Sequence, residues 1–324
     1  MTTKSEILSA LERSRGEFVS GAELAQMLHI SRTAVWKAIK QLEQEGHGIE
    51  TLAGRGYRLC EQSDLLSSEG ISACLPLELE NTPVYVLKTV DSTNTYLKRL
   101  ALEGAAHGTL VLAEEQTAGR GRRGNSFFSP GNTGLYMSLL LRPESLDCDT
   151  QMMTVRVAVA VCKALESMTS VKPRIKWVND IYADGRKLCG ILSEAVADLE
   201  SGSVESIVVG IGLNCTTTQD AFPPELRGIA GSLGGHICRN ELAAKIVEGI
   251  MRELRCDEQE VIAAYRLRSL MKGKAVRFLR DGELLEGVAE GIADNGNLLV
   301  AMADGSELVL HSGEVSVKGL GEWK

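Results

Sequence analysis

No apolar run in this chain approaches the length of a membrane span, which takes roughly 20 consecutive, mostly apolar residues. Its N-terminus lacks the basic stretch, long apolar segment and small-residue site of a secretory signal. The eight cysteines lie at least fourteen positions apart without a Cys-x-x-Cys pair, and the five histidines include no i, i+4 pair. A protein-bound metal centre is therefore not expected, whereas reduced, mostly buried thiols in a cytoplasmic protein are. Positive charge is also scarce. The formal net charge of −8 excludes a surface coated for indiscriminate nucleic-acid binding, so any DNA contact must come from a local basic face. There is no Gly-x-x-x-x-Gly-Lys-[Ser/Thr] loop, nucleophile elbow, internal repeat or low-complexity tract. P-loop nucleotide binding and serine-hydrolase chemistry drop out with them.

What remains is an ordinary globular composition, 44% hydrophobic and 24% charged over 324 residues, enough for two or three domains. Helical spacing of Ile7, Leu8 and Leu11 predicts a first helix over Lys4–Arg13. Ser20-Gly21-Ala22-Glu23 has the capping-box form and opens a second, short helix. Ser31 is a natural N-cap for a third, from Arg32 to about Glu45, with Val35, Ile39 and Leu42 as its buried stripe. Two strands, Ile49–Leu52 and Tyr57–Leu59, flank Ala53-Gly54-Arg55-Gly56. Together these elements predict a winged helix-turn-helix. After a connector with some helix, residues 82–268 alternate strands and helices. Strands are expected at Val84–Thr89, Leu110–Glu114, Leu135–Leu141, Arg174–Trp177, Ile191–Glu194 and Ser206–Asn214, the last apolar enough to be central. From Lys272 onward, Asp281-Gly282, Asp294-Asn295-Gly296-Asn297 and Asp304-Gly305 punctuate short strands, predicting a small all-β barrel. The expected organisation is a DNA-binding domain over 1–62, a linker over 63–81, a catalytic domain over 82–270 and a β-domain over 271–324.

The densest chemistry lies at Gln116–Gly124, Gln-Thr-Ala-Gly-Arg-Gly-Arg-Arg-Gly, with three arginines and three glycines between Gly119 and Gly124. Glycine admits positive φ and close backbone approach, and arginine offers a fork of donors to carboxylate or phosphate. Such a segment suits closing over an anion, although alone it reads equally as a solvated turn. Its letters match Gly-x-Gly-x-x-Gly, but the following Asn125-Ser126-Phe127-Phe128-Ser129-Pro130 cannot start a helix, so the dinucleotide reading fails. Downstream, Lys176, Asn179, Asp180 and Lys187 flank the Ala183-Asp184-Gly185-Arg186 turn. In a short hairpin they would converge as a carboxylate, an amide and two ammoniums, a set suited to Mg-nucleotide binding. Taken singly, Lys187 is a hairpin lysine and Asp180 a strand-end cap.

Five segments in register carry a resemblance. They are Asp91-Ser-Thr-Asn94, the Gln116–Gly124 loop, Lys176-Trp-Val-Asn-Asp180, Arg186-Lys-Leu-Cys-Gly-Ile-Leu192 and Gly210-Ile-Gly-Leu-Asn214. The chain resembles the biotin protein ligases over nearly its whole length. The flanking winged helix and β-segment are similar to those of the bifunctional ligase/biotin operon repressors. The resemblance implies a multi-domain α+β protein: a mixed-sheet catalytic domain like class II synthetases and lipoate ligases, and a C-terminal SH3-like barrel. It implies formation of biotinyl-5′-AMP from biotin and ATP with Mg²⁺, then transfer of biotin to a lysine of a biotin carboxyl carrier domain. Ser92, Thr93, Asn94 and Gln116 would hold biotin, with Gly190, Gly210 and Gly212 letting the backbone lie close to it. Arg120, Gly121, Arg122 and Lys187 would also face biotin. Gly119, Arg120, Arg122, Arg123, Lys176, Asn179, Asp180 and Asn214 would hold the ATP or adenylate part. Lys187, Arg122 and Asp180 would be catalytic. The sequence departs from the family pattern at Asn125-Ser126-Phe127, where a basic residue and a tryptophan are usual, and at Val178, where proline is usual. In Thr216–Gly228, where an adenine-covering loop is expected, Phe222 is the one aromatic residue.

Five basic residues (Arg32, Lys37, Lys40, Arg55 and Arg58) against three glutamates give Ser31–Arg58 a local charge of +2 on an acidic chain. Ser31, Arg32, Thr33, Trp36, Lys37, Lys40 and Arg55 are the expected DNA contacts, with the third helix entering the major groove. By resemblance, biotinyl-5′-AMP would drive homodimerisation and binding to an inverted-repeat operator. Two other readings stand beside this one: a small-molecule sensor that has lost catalysis, and a lipoate ligase.

Overall fold

Side-chain caps set the first helices of the computed structural model, which describes residues 2–142, 150–197, 204–311 and 313–320. Helix α1 (Thr3–Arg13) is capped by Thr2, α2 (Gly21–Met27) by Ser20 and α3 (Arg32–Gln44) by Ser31. Each cap accepts a bond from the backbone N–H three residues on, at 3.0–3.2 Å, so the capping signals in the sequence operate as expected. Ile7, Leu11, Leu24, Val35, Ile39, Leu42 and Leu59 are fully buried and form one core. Strands β1 (Ile49–Leu52) and β2 (Gly56–Leu59) pair antiparallel. A bridge between Val19 and Tyr57 ties this wing back to the helices. Gly56 has φ +109°, and a Cβ there would lie 2.2 Å from Val19 O, so only glycine fits. Helix α4 (Ser68–Cys74) falls in the predicted linker. Residues 1–86 and 236–245 cluster as one unit. Within it Asn240 binds the backbone of Ser67 and Leu65, and Arg239 pairs with Asp64 at 2.7 Å.

The second unit comprises residues 87–235 and 246–324. Strands β3 (Val84–Val90), β4 (Leu110–Gln116), β5 (Gly134–Leu141), β6 (Arg174–Lys176), β7 (Asp180–Ala183), β8 (Arg186–Ala197) and β9 (Val204–Asn214) make a sheet ordered β3-β4-β5-β9-β8-β7-β6. From β4 to β6 every neighbouring pair is antiparallel. The apolar β9 is the middle strand, as its composition predicts. Helix α5 (Thr93–Leu102) covers one face, packing Leu97 and Ala101 on Val111, Leu140 and Val208. Helix α6 (Thr150–Met168) lies on the other face, where Thr154 Oγ1 donates to Ser193 Oγ at 2.9 Å; residues 190, 192 and 194 alternate to the α5 side. Helices α7 (Arg239–Glu253) and α8 (Glu258–Arg268) end the α/β part. One strand escaped the sequence reading. Its single 174–194 hairpin is two, because the four-residue β7 lies between two tight turns.

Strands β10 (Ala275–Arg280), β11 (Glu283–Ile292), β12 (Leu298–Ala301), β13 (Glu307–Leu310) and β14 (Val315–Val317) form a sheet ordered β13-β12-β11-β10-β14. Asp281 and Gly282 both have positive φ (51° and 85°), which gives the two-residue turn its signature predicts. The expected closure is not seen in the pairing. Among the described residues β13 and β14 end the order without bonding to each other. No described helix is long and apolar enough to cross a membrane. The seven described cysteines are free thiols, but only Cys162, Cys189 and Cys215 are buried, fewer than expected. Cys148 lies outside the described residues.

Candidate active site

Register builds the site. Asp180, Gly190, Gly212 and Tyr136 lie side by side across β7, β8, β9 and β5, and Leu192, Gly210 and Ser138 form the next row. Three glycines on adjacent positions leave the sheet bare, making the floor of a cavity of about 120 Å³. The cavity is lined by Ser92, Thr93, Asn94, Gln116, Gly121, Asn179, Asp180 and Lys187 among others. It also takes in Gly313, Glu314 and Val315 from the C-terminal sheet.

One wall is a chain of polar side chains at the start of α5. Ser92 is its N-cap residue and is buried, yet its hydroxyl makes no capping bond. Gln116 Oε1 accepts from Thr93 N–H at 2.9 Å and lies 3.1 Å from Thr93 Oγ1, while its Nε2 donates to Ser129 Oγ at 2.9 Å. Ser138 Oγ lies 2.7 Å from Thr93 Oγ1 and donates to Asn94 Oδ1 at 2.6 Å. Asn94 Nδ2 donates to Glu194 at 2.8 Å, and Lys98 Nζ reaches the same carboxylate at 2.5 Å. Burial pushes the Glu194 carboxyl up, but the bonds from Lys98 and Asn94 and the charges of Lys98 and Arg120 hold it below its ordinary value.

The opposite wall is cationic. Lys187 Nζ stands 2.8 Å from Asp180 Oδ1, an ionic contact without a well-directed hydrogen bond. Lys176 is buried with its ammonium 6.0 Å above the centre of the Tyr182 ring. Asn179 is clamped on Ile191: its Nδ2 donates to Ile191 O at 2.9 Å, and its own O accepts from Ile191 N–H at 3.0 Å. Tyr265 Oη donates to Val178 O at 3.1 Å and Trp177 Nε1 to Gly296 O at 2.9 Å, so α8 and the C-terminal sheet fix this turn. The Trp177–Val178 peptide is cis.

The Gly/Arg loop bridges the two walls. Phe127 N–H donates to Gly119 O and Gly121 N–H to Asn125 O, at 2.9 and 2.7 Å, folding the loop back on itself. A Cβ on Gly119 would meet Phe127 O at 2.4 Å, which explains the glycine. Arg123 takes φ +53°, turning the chain so that Arg122 points inward. Arg122 Nη1 donates to Asn179 Oδ1 at 3.3 Å, and burial, opposed by Asp180, draws its pKa down. Arg120 stays exposed, 3.6 Å from Glu194. The Phe127 ring lies on the glycine floor; a Cβ on Gly212 would come within 2.7 Å of it.

Three family models match the chain: the HTH domain over residues 3–58, the biotin/lipoate A/B protein ligase family over 86–214 and the biotin protein ligase C terminal domain over 273–318. The chain is 32% identical over 312 residues to the bifunctional ligase/repressor BirA of Escherichia coli, covering 94% of each. This chain belongs to the biotin protein ligases. The corresponding BirA of Bacillus spizizenii is 38% identical over 232 residues, 72% of this chain and 71% of its own. A solved biotin protein ligase from Aquifex aeolicus, in complex with biotin and ATP, superposes with a TM-score of 0.63 at 29% identity. That match covers 73% of this chain and 98% of the other.

In this biotin protein ligase nearly all the residues singled out from sequence share one cavity. Ser92, Thr93, Asn94, Gln116, Arg120, Gly121, Arg122, Arg123, Lys176, Asn179, Asp180, Lys187, Gly190, Gly210 and Gly212 all line it. Gly119 and Asn214 do not. Gly119 closes the loop base, and Asn214 lies one step along the sheet, donating to Gly231 O at 3.0 Å while its buried Oδ1 has no partner. Beside Asn214 a second cavity of about 590 Å³ is lined by Thr216–Gln219, Gly231–Gly235, Arg186 and Leu188. Phe222 is no cover for it: the ring is buried 6.0 Å from Phe128, in the core. The sequence reading missed Ser138, Lys98 and Glu194. Ser138 had a signal, the one small polar side chain in the wholly buried β5; the other two had none, since they meet from 96 residues apart.

On α3 of the ligase, Ser31, Arg32, Thr33, Trp36, Lys37 and Lys40 are all exposed, Trp36 by 52%. Ser31 Oγ also caps the helix, and Lys40 is paired with Glu43 at 2.5 Å. On the wing, the guanidiniums of Arg55 and Arg58 lie 4.8 and 4.5 Å from the centre of the Phe18 ring, an arrangement that holds both near one side of the hairpin.

Proposed function

We propose that the cavity over Gly190, Gly210 and Gly212 is where biotin and Mg-ATP react. Lys187, Arg122 and Asp180 converging from three separate segments is the observation that carries this reading. A biotin carboxylate oxygen attacks the α-phosphorus of ATP, the bond to the bridging oxygen breaks, and pyrophosphate leaves. The amine of a carrier-domain lysine then attacks the acyl carbon of biotinyl-5′-AMP, loses a proton and releases AMP. Ser92, Thr93 and Gln116 hold the ureido end of biotin, and Lys187 and Arg122 neutralise the charge that gathers at the carboxylate–phosphate junction. Asp180 and Asn179 supply the oxygen donors that suit the Mg²⁺ of Mg-ATP. The unpartnered Oδ1 of Asn214 supports placing the adenosine toward Thr216–Gly235. Gly119–Gly124 is the lid that keeps water from the mixed anhydride. ATP–pyrophosphate exchange is expected with biotin and not with lipoate; exchange with lipoate alone would identify a lipoate ligase, and none with either acid a sensor.

Further parts of this reading concern the whole chain. The N-terminal helix-turn-helix makes it a repressor as well as an enzyme, acting on an inverted-repeat operator as a homodimer formed when biotinyl-5′-AMP is bound. Free thiols and a need for ATP suit the cytoplasm. The functional domains are read as 1–62, 82–270 and 271–324, joined at 63–81. The catalytic fold resembles class II synthetases. The C-terminal sheet is read as an SH3-like barrel, which the short stretch of chain between its two edge strands, from Leu310 to Val315, supports. Operator DNA is expected to bind cooperatively, and at least tenfold more tightly, when biotin and ATP are both present. Gel-shift titration checks this; equal affinity with and without them would exclude the switch.

A further inference from the structure

We infer that Glu194 is a positioning residue that sets the hydrogen-bond polarity of the biotin pocket through Asn94. The inference rests on the cavity being the biotin site, as proposed above. A carboxylate accepts and cannot donate. Asn94 must therefore turn its NH2 toward Glu194, 2.8 Å away, and its Oδ1 toward Ser138. Ser138 then donates to Asn94 at 2.6 Å and offers its lone pairs to Thr93. The Thr93 hydroxyl proton is thereby committed to Ser138, and Gln116 Oε1 accepts from the Thr93 backbone N–H at 2.9 Å. The direction of the chain from Asn94 through Ser138 to the Thr93 hydroxyl is thus set by a side chain absent from the cavity lining. A neutral amide at 194 could meet Asn94 with either end, so it would weaken that direction, leaving only the longer bond from Asn94 Nδ2 to Leu192 O at 3.3 Å to hold it. Lys98 from α5 and Arg120 from the loop are the cations facing the carboxylate, at 2.5 and 3.6 Å, and they keep it ionised.

In exchange assays, Glu194→Gln is expected to raise KM for biotin about tenfold, as for loss of a bond to a charged group, with kcat changed less than about twofold. Calorimetric titration of biotin should show the same loss. Because Glu194 acts through Asn94, adding Glu194→Gln to Asn94→Ala should cost less than about twofold more. Lys98→Met keeps the acceptor but removes its cation, so its KM should rise between pH 7 and about 5 while the wild-type KM stays level. A Glu194→Gln KM equal to wild type would overturn the inference, as would multiplying effects in the double variant or a level pH profile in Lys98→Met. Loss of fold in Glu194→Gln, visible in a thermal melt, leaves the Lys98→Met profile to decide. A wild-type protein without biotin-dependent exchange would instead overturn the ligase reading, and this inference with it.

Discussion

Replacing Lys187 with alanine is expected to lower biotin-dependent ATP–pyrophosphate exchange by a factor on the order of 10²–10³, the usual cost of deleting one preorganised charge-stabilising group. Biotin carboxylate and ATP triphosphate repel each other before they react, and the repulsion is greatest at the forming bond. Lys187 sits at the edge of the glycine floor, where its side chain is 29% exposed and its ammonium 2.8 Å from Asp180. That contact keeps the cation in place but does not consume it, because an ammonium has three donors. Biotin binding alone should weaken far less, since the proposed site gives the ring end to Ser92, Thr93 and Gln116 across the cavity. Stability should fall by only about 1 kcal/mol, the scale of a partly exposed ion pair. Exchange kinetics, biotin calorimetry and a thermal melt separate these three quantities. Near-normal exchange would remove Lys187 from the chemistry.

Gly210→Ala is expected to weaken biotin binding by about 100-fold or more, which is the disruption of at least two directed hydrogen bonds. A Cβ at 210 would lie 2.2 Å from Asn94 Oδ1 and 2.8 Å from its Cγ. Asn94 has nowhere to go, because Glu194 and Ser138 hold its two ends at 2.8 and 2.6 Å. The methyl therefore displaces Asn94 and unpicks the chain to Thr93 and Gln116. Overpacking of this kind costs roughly 1–3 kcal/mol, so the melting temperature should fall as well. Gly212→Ala is the contrast, since its Cβ meets the ring of Phe127, a loop side chain, at 2.7 Å. Unchanged biotin affinity in Gly210→Ala would mean that Asn94 does not serve the pocket.

Helix limits, caps and the two-residue turns were legible because they depend on neighbours in sequence. Ser20, Ser31, Asp281-Gly282 and the apolar stripe of α3 act through residues a few positions away, and the structure places them as expected. The candidate site was legible for a different reason: its residues fall in five short segments whose order resembles a known family. Strand β7 was lost because four residues between two turns carry no periodicity long enough to read. The closed barrel was expected from turn spacing alone, and turn spacing says nothing about which edge strands pair.

By itself the sequence determined the local chemistry: a glycine- and arginine-rich loop, a buried-strand pattern for β9, and a basic recognition helix on an acidic chain. Only the tertiary structure decided who meets whom. Registers across β5, β9, β8 and β7 put Ser138, Gly210 and Leu192 in one row and Tyr136, Gly212, Gly190 and Asp180 in the next. Packing of α5 on that sheet then brought Lys98 and Asn94 to Glu194. Such pairings depend on strand order and register, which are global minima of packing and backbone bonding, and no window of sequence contains them.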